Sequence, residues 1–188
     1  MGSLRDCFVD SMARQGDRKA ITFLRKGNVE SEISYKGLDL DSNRMANTCL
    51  DLGVAKGDRV ILFFPKSVIF VVAHLALQKI GAIAVPLNPG FKPSEMEYFI
   101  NDAKAELVLS GPEQQAMITE IDASLSNLVI DTQKRYQDLD FFRSASDVIA
   151  PVEMGPDDPG LIIYTSGTTE NPRGPSSPRR TLFTMLRM

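Results

Sequence analysis

The chain has 188 residues, 43% of them hydrophobic and 24% charged, with a formal net charge of −3. That length is one domain, or one and a fraction, and a chain of this size buries about 70% of the surface its unfolded state exposes. With 13 glycines and 11 prolines it is neither collagen-like nor disordered, and it has no apolar run long enough to span a bilayer.

Charge is unevenly placed. Residues 173 to 188 hold Arg173, Arg179, Arg180 and Arg187 and no acid, so the body of the chain is more acidic than the net value suggests. An acidic body lacks the basic footprint that nucleic-acid binding requires, and four arginines are too few to supply one. The two cysteines, Cys7 and Cys49, have no metal-type spacing and imply no disulfide framework. Residues Met1 to Asp6 lack the basic and apolar regions of a signal peptide, which gives the expectation of a cytoplasmic chain.

In chain order, Leu4, Cys7, Phe8 and Met12 recur at helical spacing, with Ser3 and Gly16 as bounds. The runs Ala20 to Leu24 and Val29 to Tyr35 flank Gly27-Asn28 and predict a β-hairpin. Leu38, Met45, Cys49 and Leu50 mark an amphipathic helix that ends at Gly53. Val60 to Phe64 is continuously apolar, the pattern of a strand buried on both faces. Ser67 is positioned to cap a helix over Val68 to Lys79, Gly81 to end it, and Ala82 to Pro86 to form the next strand.

Ser94 and Glu97 have the spacing of a capping box for a helix through Ile100. A strand at Glu106 to Leu109, a helix at Gln114 to Ser124, a strand at Leu128 to Asp131 and a short helix at Asp138 to Ser144 repeat the alternation. Alternating strands and helices predict an α/β fold: a mostly parallel sheet flanked by helices, preceded by the hairpin. Ala150 to Pro159 is an acidic, proline-containing connector, and Leu161 to Tyr164 is a further buried strand. His74, the single histidine, lies in an apolar helical stretch, where packing is a better explanation than catalysis.

The segment that carries chemistry is Tyr164-Thr165-Ser166-Gly167-Thr168-Thr169-Glu170-Asn171-Pro172-Arg173-Gly174. An apolar strand delivers a loop dense in hydroxyls and glycine. Backbone N–H groups of such a loop can form an anion-binding concavity, and Ser/Thr hydroxyls donate to non-bridging phosphate oxygens. The P-loop of ATPases needs Lys and Ser/Thr after its second glycine, but Gly174 is followed by Pro175. The competing reading by composition is a polar surface turn.

The segment resembles the phosphate-binding signature of the adenylate-forming superfamily, which comprises acyl-CoA synthetases, luciferases and peptide-synthetase adenylation domains. That signature runs Tyr-Thr-Ser-Gly-Thr-Thr-Gly-x-Pro-Lys-Gly. Tyr164, Thr165, Ser166, Gly167, Thr168, Thr169, Pro172 and Gly174 match it, whereas Glu170 replaces a glycine and Arg173 a lysine. The stretch Ala76 to Pro89 and the acidic connector with Asp158 are also similar to this family. On this resemblance residues 1 to 174 are the N-terminal part of an AMP-binding (adenylation) domain, a partial N-terminal domain of the adenylate-forming fold, and residues 175 to 188 are an irregular tail.

The resemblance implies that Thr165, Ser166, Gly167, Thr168, Thr169, Arg173 and Gly174 bind the phosphates of ATP, with Mg²⁺ as companion ion. It implies an acid–thiol ligase: a carboxylic acid attacks the α-phosphorus to give an acyl-adenylate and pyrophosphate, and coenzyme A then forms the thioester. No catalytic residue or protein metal ligand is identified. In the family the acyl pocket, the adenine contacts and the catalytic lysine lie downstream of this loop. The 188 residues are therefore expected to be a truncated synthetase, inactive alone, with a foreign tail. A non-catalytic nucleotide-binding or protein-interaction remnant is the alternative. Unpaired edges of an incomplete sheet would favour self-association.

Overall fold

The computed structural model describes the backbone of residues 4–155, 157–166 and 181–187. Helix α1 (Leu4–Gln15) leads into a two-stranded antiparallel hairpin, β1 (Lys19–Arg25) and β2 (Asn28–Ser34). Arg25 pairs with Asn28 across a two-residue turn, so the turn is Lys26-Gly27 rather than Gly27-Asn28. Both turn residues have positive φ, 51° and 82°, as a hairpin turn matched to strand twist requires. Ser34 caps α2 (Tyr35–Asp51), its Oγ accepting from the Gly37 N–H at 3.0 Å.

Then follow β3 (Arg59–Phe63), α3 (Val68–Ile80), β4 (Ile83–Pro86), α4 (Pro93–Ala103), β5 (Ala105–Ser110), α5 (Gln115–Ile121), β6 (Ser126–Val129), α6 (Asp140–Ser144), β7 (Pro159–Ser166) and β8 (Thr181–Arg187). The six-stranded sheet has the order β6-β5-β3-β4-β7-β8. Every pairing from β6 to β7 is parallel, and β8 alone runs antiparallel, against β7.

Period-two alternation along the central strands feeds two cores. Val60 and Leu62 of β3, Ala84 of β4 and Leu107 and Leu109 of β5 face a core completed by α2, α3 and Phe142. Ile61, Phe63, Val85, Val108 and Ile162 face the other, completed by Met96, Phe99 and Ile100 of α4 and Ile118 of α5. Both faces are covered, which explains the uninterrupted apolar run that marks β3. Helix α3 is buried nearly all round because it shares one core with the sheet and α2. Its Lys79 is 5% exposed, and the ammonium donates to Asp39 Oδ1 at 2.6 Å, Asn43 Oδ1 at 2.7 Å and the Asp39 carbonyl at 3.0 Å. Burial of that charge is tolerated because its donors are satisfied.

Three local features differ from the sequence reading. Helix α4 starts at Pro93, with Lys92 as its N-cap and Glu95 Oε2 accepting from the Lys92 N–H at 2.9 Å. A proline preset for the first helical position moves the start ahead of the Ser94/Glu97 pair. Ser67 occupies the N-cap position of α3 but donates to the Pro65 carbonyl at 3.2 Å instead of capping. Residues 181 to 187 form the strand β8, where the sequence reading has an irregular tail. The strand begins after Pro175 and Pro178, so the missing proline donors do not interrupt its ladder. β6 and β8 are the outer strands, the edges on which the expectation of self-association rests. Among the described residues no helix is long and apolar enough to cross a membrane.

Candidate functional site

Strand β7 carries the start of the hydroxyl-rich segment and lies between β4 and β8. Its approach is pinned first at Asp158, whose Oδ2 lies 2.7 Å from Lys56 Nζ and accepts from the Gly155 N–H at 2.7 Å. Those two interactions hold the Asp158 carboxyl below the usual aspartate range, the lysine hydrogen bond contributing most. A carboxyl with a depressed folded pKa stabilises above its unfolded value, and that contribution is lost as pH falls through the folded one. Asp158→Asn is therefore expected to lower Tm at pH 7. The gap from wild type should close as pH drops below 3.8, the ordinary aspartate value; melting curves across the acid range check this.

The next anchors lie within β7. Gln78 of α3, 2% exposed, donates from Nε2 to the Gly160 carbonyl at 2.8 Å, and its Oε1 is buried with no partner among the described residues. Leu161 pairs with Ala84 of β4, and Ile162 is 1% exposed in the α4 core. Tyr164 stacks obliquely on Phe99, with ring centroids 4.6 Å apart, and its hydroxyl donates to Asp102 Oδ2 at 2.8 Å. Burial, followed by that hydrogen bond, raises the phenol pKa above its ordinary value, so the hydroxyl stays a donor at physiological pH.

Thr165 and Ser166 complete β7, paired with Leu182 and Thr181 of β8. Gly167, Thr168, Thr169, Arg173 and Gly174 lie outside the described residues. Strand β7 ends at Ser166, at the carboxyl edge of the parallel strands. In open α/β sheets ligands bind at that edge, near the point where successive connections turn to opposite faces. That reversal falls between β3 and β5, because the connection from β3 runs through α3 in one core to β4, and the connection from β5 runs the other way along the sheet through α5 in the other core to β6. The turn after β4 lies at the same edge, with Asn88 Oδ1 accepting from the Gly90 N–H at 3.0 Å and Gln114 Nε2 donating to the Pro89 carbonyl at 3.3 Å.

Other features have no part in this edge. His74 is half-buried on α3, and desolvation holds its imidazole below the usual value, consistent with packing. Burial pushes the Cys49 thiol up to about 12, which leaves it inert as a nucleophile. A cleft of about 190 Å³ lies between the hairpin, the start of α3 and residues 132 to 137, with no wall from β7. Its Arg25 and Arg135 are already paired with Glu30 and Asp138 at 2.8 and 2.9 Å. Among the described residues no group of three or more His, Cys, Asp or Glu side chains could hold a metal ion. Sequence reasoning missed Gln78 and Asp102, which lie 82 and 62 residues from their partners; the only available signal was that a buried tyrosine needs an acceptor.

A family model described as AMP-binding enzyme matches residues 8–186. The chain belongs to the AMP-binding enzyme family. It is 34% identical over 149 residues to the long-chain-fatty-acid–CoA ligase FadD13 of Mycobacterium tuberculosis, covering 78% of this chain and 30% of that protein. It is 29% identical over 184 residues to a crotonobetaine/carnitine–CoA ligase of Salmonella heidelberg, covering 92% of this chain and 35% of the relative. The ATP-bound structure of MatB from Rhodopseudomonas palustris superposes with a TM-score of 0.81 at 30% identity, over 98% of this chain and 34% of that one. The chain thus spans about a third of the length of these relatives, and the fold is that of the N-terminal region of AMP-binding enzymes.

Proposed function

We propose that the chain is the N-terminal part of the adenylation domain of an ATP-dependent acyl-CoA synthetase, an acid–thiol ligase. Its phosphate loop is built from Thr165, Ser166, Gly167, Thr168, Thr169, Arg173 and Gly174. The observation that carries this reading is the anchored Tyr164 at the carboxyl edge of a parallel sheet, directly before that loop in sequence. The family match and the CoA ligases among the relatives support it.

In this role the loop's hydroxyls and backbone N–H groups donate to the β- and γ-phosphates of ATP, and Arg173 supplies positive charge. Arg173 keeps the charge of the family's lysine but presents a planar fork in place of a compact ammonium. Holding the leaving pyrophosphate fixed while a carboxylate oxygen attacks the α-phosphorus is catalysis by positioning and charge neutralisation. The new P–O bond forms as the bond to pyrophosphate breaks; in the second half-reaction coenzyme A displaces AMP to give the thioester. The described residues present no cluster of three or more His, Cys, Asp or Glu side chains for Mg²⁺.

These 188 residues alone are expected to bind ATP without turning it over. ATP–pyrophosphate exchange with a panel of carboxylic acids, run beside calorimetric titration with ATP, checks both parts. Exchange above background would overturn the claim of inactivity, and absence of ATP binding would overturn the phosphate-loop assignment.

A further inference from the structure

We infer that Asp102 is a positioning residue for the phosphate loop, acting through the hydroxyl of Tyr164. This inference rests on the proposed function and adds to it a residue from outside the signature. Strand β4 ends at Pro86, and its pairing with β7 is registered at Ala84 and Leu161. Continued in parallel register, Pro86 falls opposite Ile163, and a proline has no N–H to give the ladder. Tyr164, Thr165 and Ser166 therefore run past the end of β4, leaving β8 as their strand neighbour.

At that point side chains replace the ladder. The Tyr164 ring rests on Phe99, and its hydroxyl donates to Asp102 Oδ2 at 2.8 Å. Phe99 and Asp102 both belong to α4, and Phe99 is 8% exposed and further braced by Phe91 at 5.0 Å between centroids. Helix α4 thus fixes where β7 ends and the loop begins. A loop that grips phosphate depends on that point, because small displacements of pre-oriented donors weaken every contact they make. Asp102 touches no phosphate in this scheme; it determines where the donors start.

The test is titration of the full 188-residue chain with inorganic pyrophosphate, for wild type and four variants. Tyr164→Phe keeps the ring on Phe99 and removes the donor; Asp102→Ala removes the acceptor; Asp102→Asn retains an acceptor oxygen; the double variant Tyr164→Phe/Asp102→Ala removes both. Each of the first two is expected to weaken pyrophosphate binding about ten-fold, the order expected for a hydrogen bond to a charged group. The double variant should be no weaker than either single one, and Asp102→Asn should recover most of the affinity. Met45→Ala, a cavity in the opposite core, should lower Tm with pyrophosphate affinity unchanged, separating positioning from general loss of stability.

Wild-type affinity in Tyr164→Phe and Asp102→Ala would overturn the inference, as would additive losses or a Met45→Ala variant that binds as poorly. Failure of the unmodified chain to bind pyrophosphate would instead overturn the proposed function beneath it. Should Asp102→Ala not fold, Tyr164→Phe and Asp102→Asn decide the matter alone.

Discussion

Phe63→Ala is expected to destabilise the fold by about 3–5 kcal/mol, the usual cost of deleting a fully buried aromatic ring. Phe63 is 0% exposed, ends the central strand β3 and faces the α4/α5 core beside Val85, Val108 and Ile118. The surrounding strands are fixed by ladders on both sides of β3, so the cavity has little freedom to collapse, and the cost should lie toward the upper end. Against a total stability of about 5–15 kcal/mol for a typical domain, this is a large fraction. Urea denaturation should show a lower midpoint with an unchanged slope. Val148→Ala, at a side chain 75% exposed, should stay within about 0.5 kcal/mol of wild type. Equal effects at the two positions would contradict the two-core arrangement.

Strands of this sheet were legible because burial on both faces leaves a composition signal that does not depend on partners: Val60 to Phe64 and Leu161 to Tyr164 are apolar throughout. Helix ends at Gly53 and Gly81 were legible for a backbone reason, since both adopt positive φ, 90° and 72°. The hairpin was legible to within one residue. Less was readable where a neighbour distant in sequence decides the outcome. Residues 146 to 148 are tied to α2 by Asn47 Nδ2 on the Ser146 and Val148 carbonyls and by Arg44 on Asp147. Nothing in the local pattern of either segment announces these bonds.

The site divides the same way. The segment's chemistry is readable because hydroxyls, glycines and a cation lie close together in sequence, whereas the strand that leads into it, β7, is held by Gln78 on one face and Asp102 on the other. Strand β8 was obscured by the two prolines before it. Thr181 to Arg187 nonetheless pair with β7.

Glu170→Gly is expected to tighten ATP binding by about ten-fold. On the proposed reading the segment holds a triphosphate, and Glu170 stands where the family's signature has glycine. Two unit charges ~5 Å apart at an effective dielectric near 20 repel by roughly 3 kcal/mol, and solvent and counterions screen part of that. A remainder near 1.4 kcal/mol is a factor of about ten. Glycine also restores a residue that adopts positive φ without strain. Charge and backbone effects separate in a second variant, since Glu170→Gln removes only the charge. Titration with ATP at low and high salt should show the wild-type–Gln gap shrinking as the Debye length falls from ~10 Å at 0.1 M to ~3 Å at 1 M. The Gln–Gly gap, a matter of backbone freedom, should persist. A Glu170→Gln variant that binds ATP no better than wild type at low salt would mean that no phosphate approaches this position, and the loop would lose its assigned role.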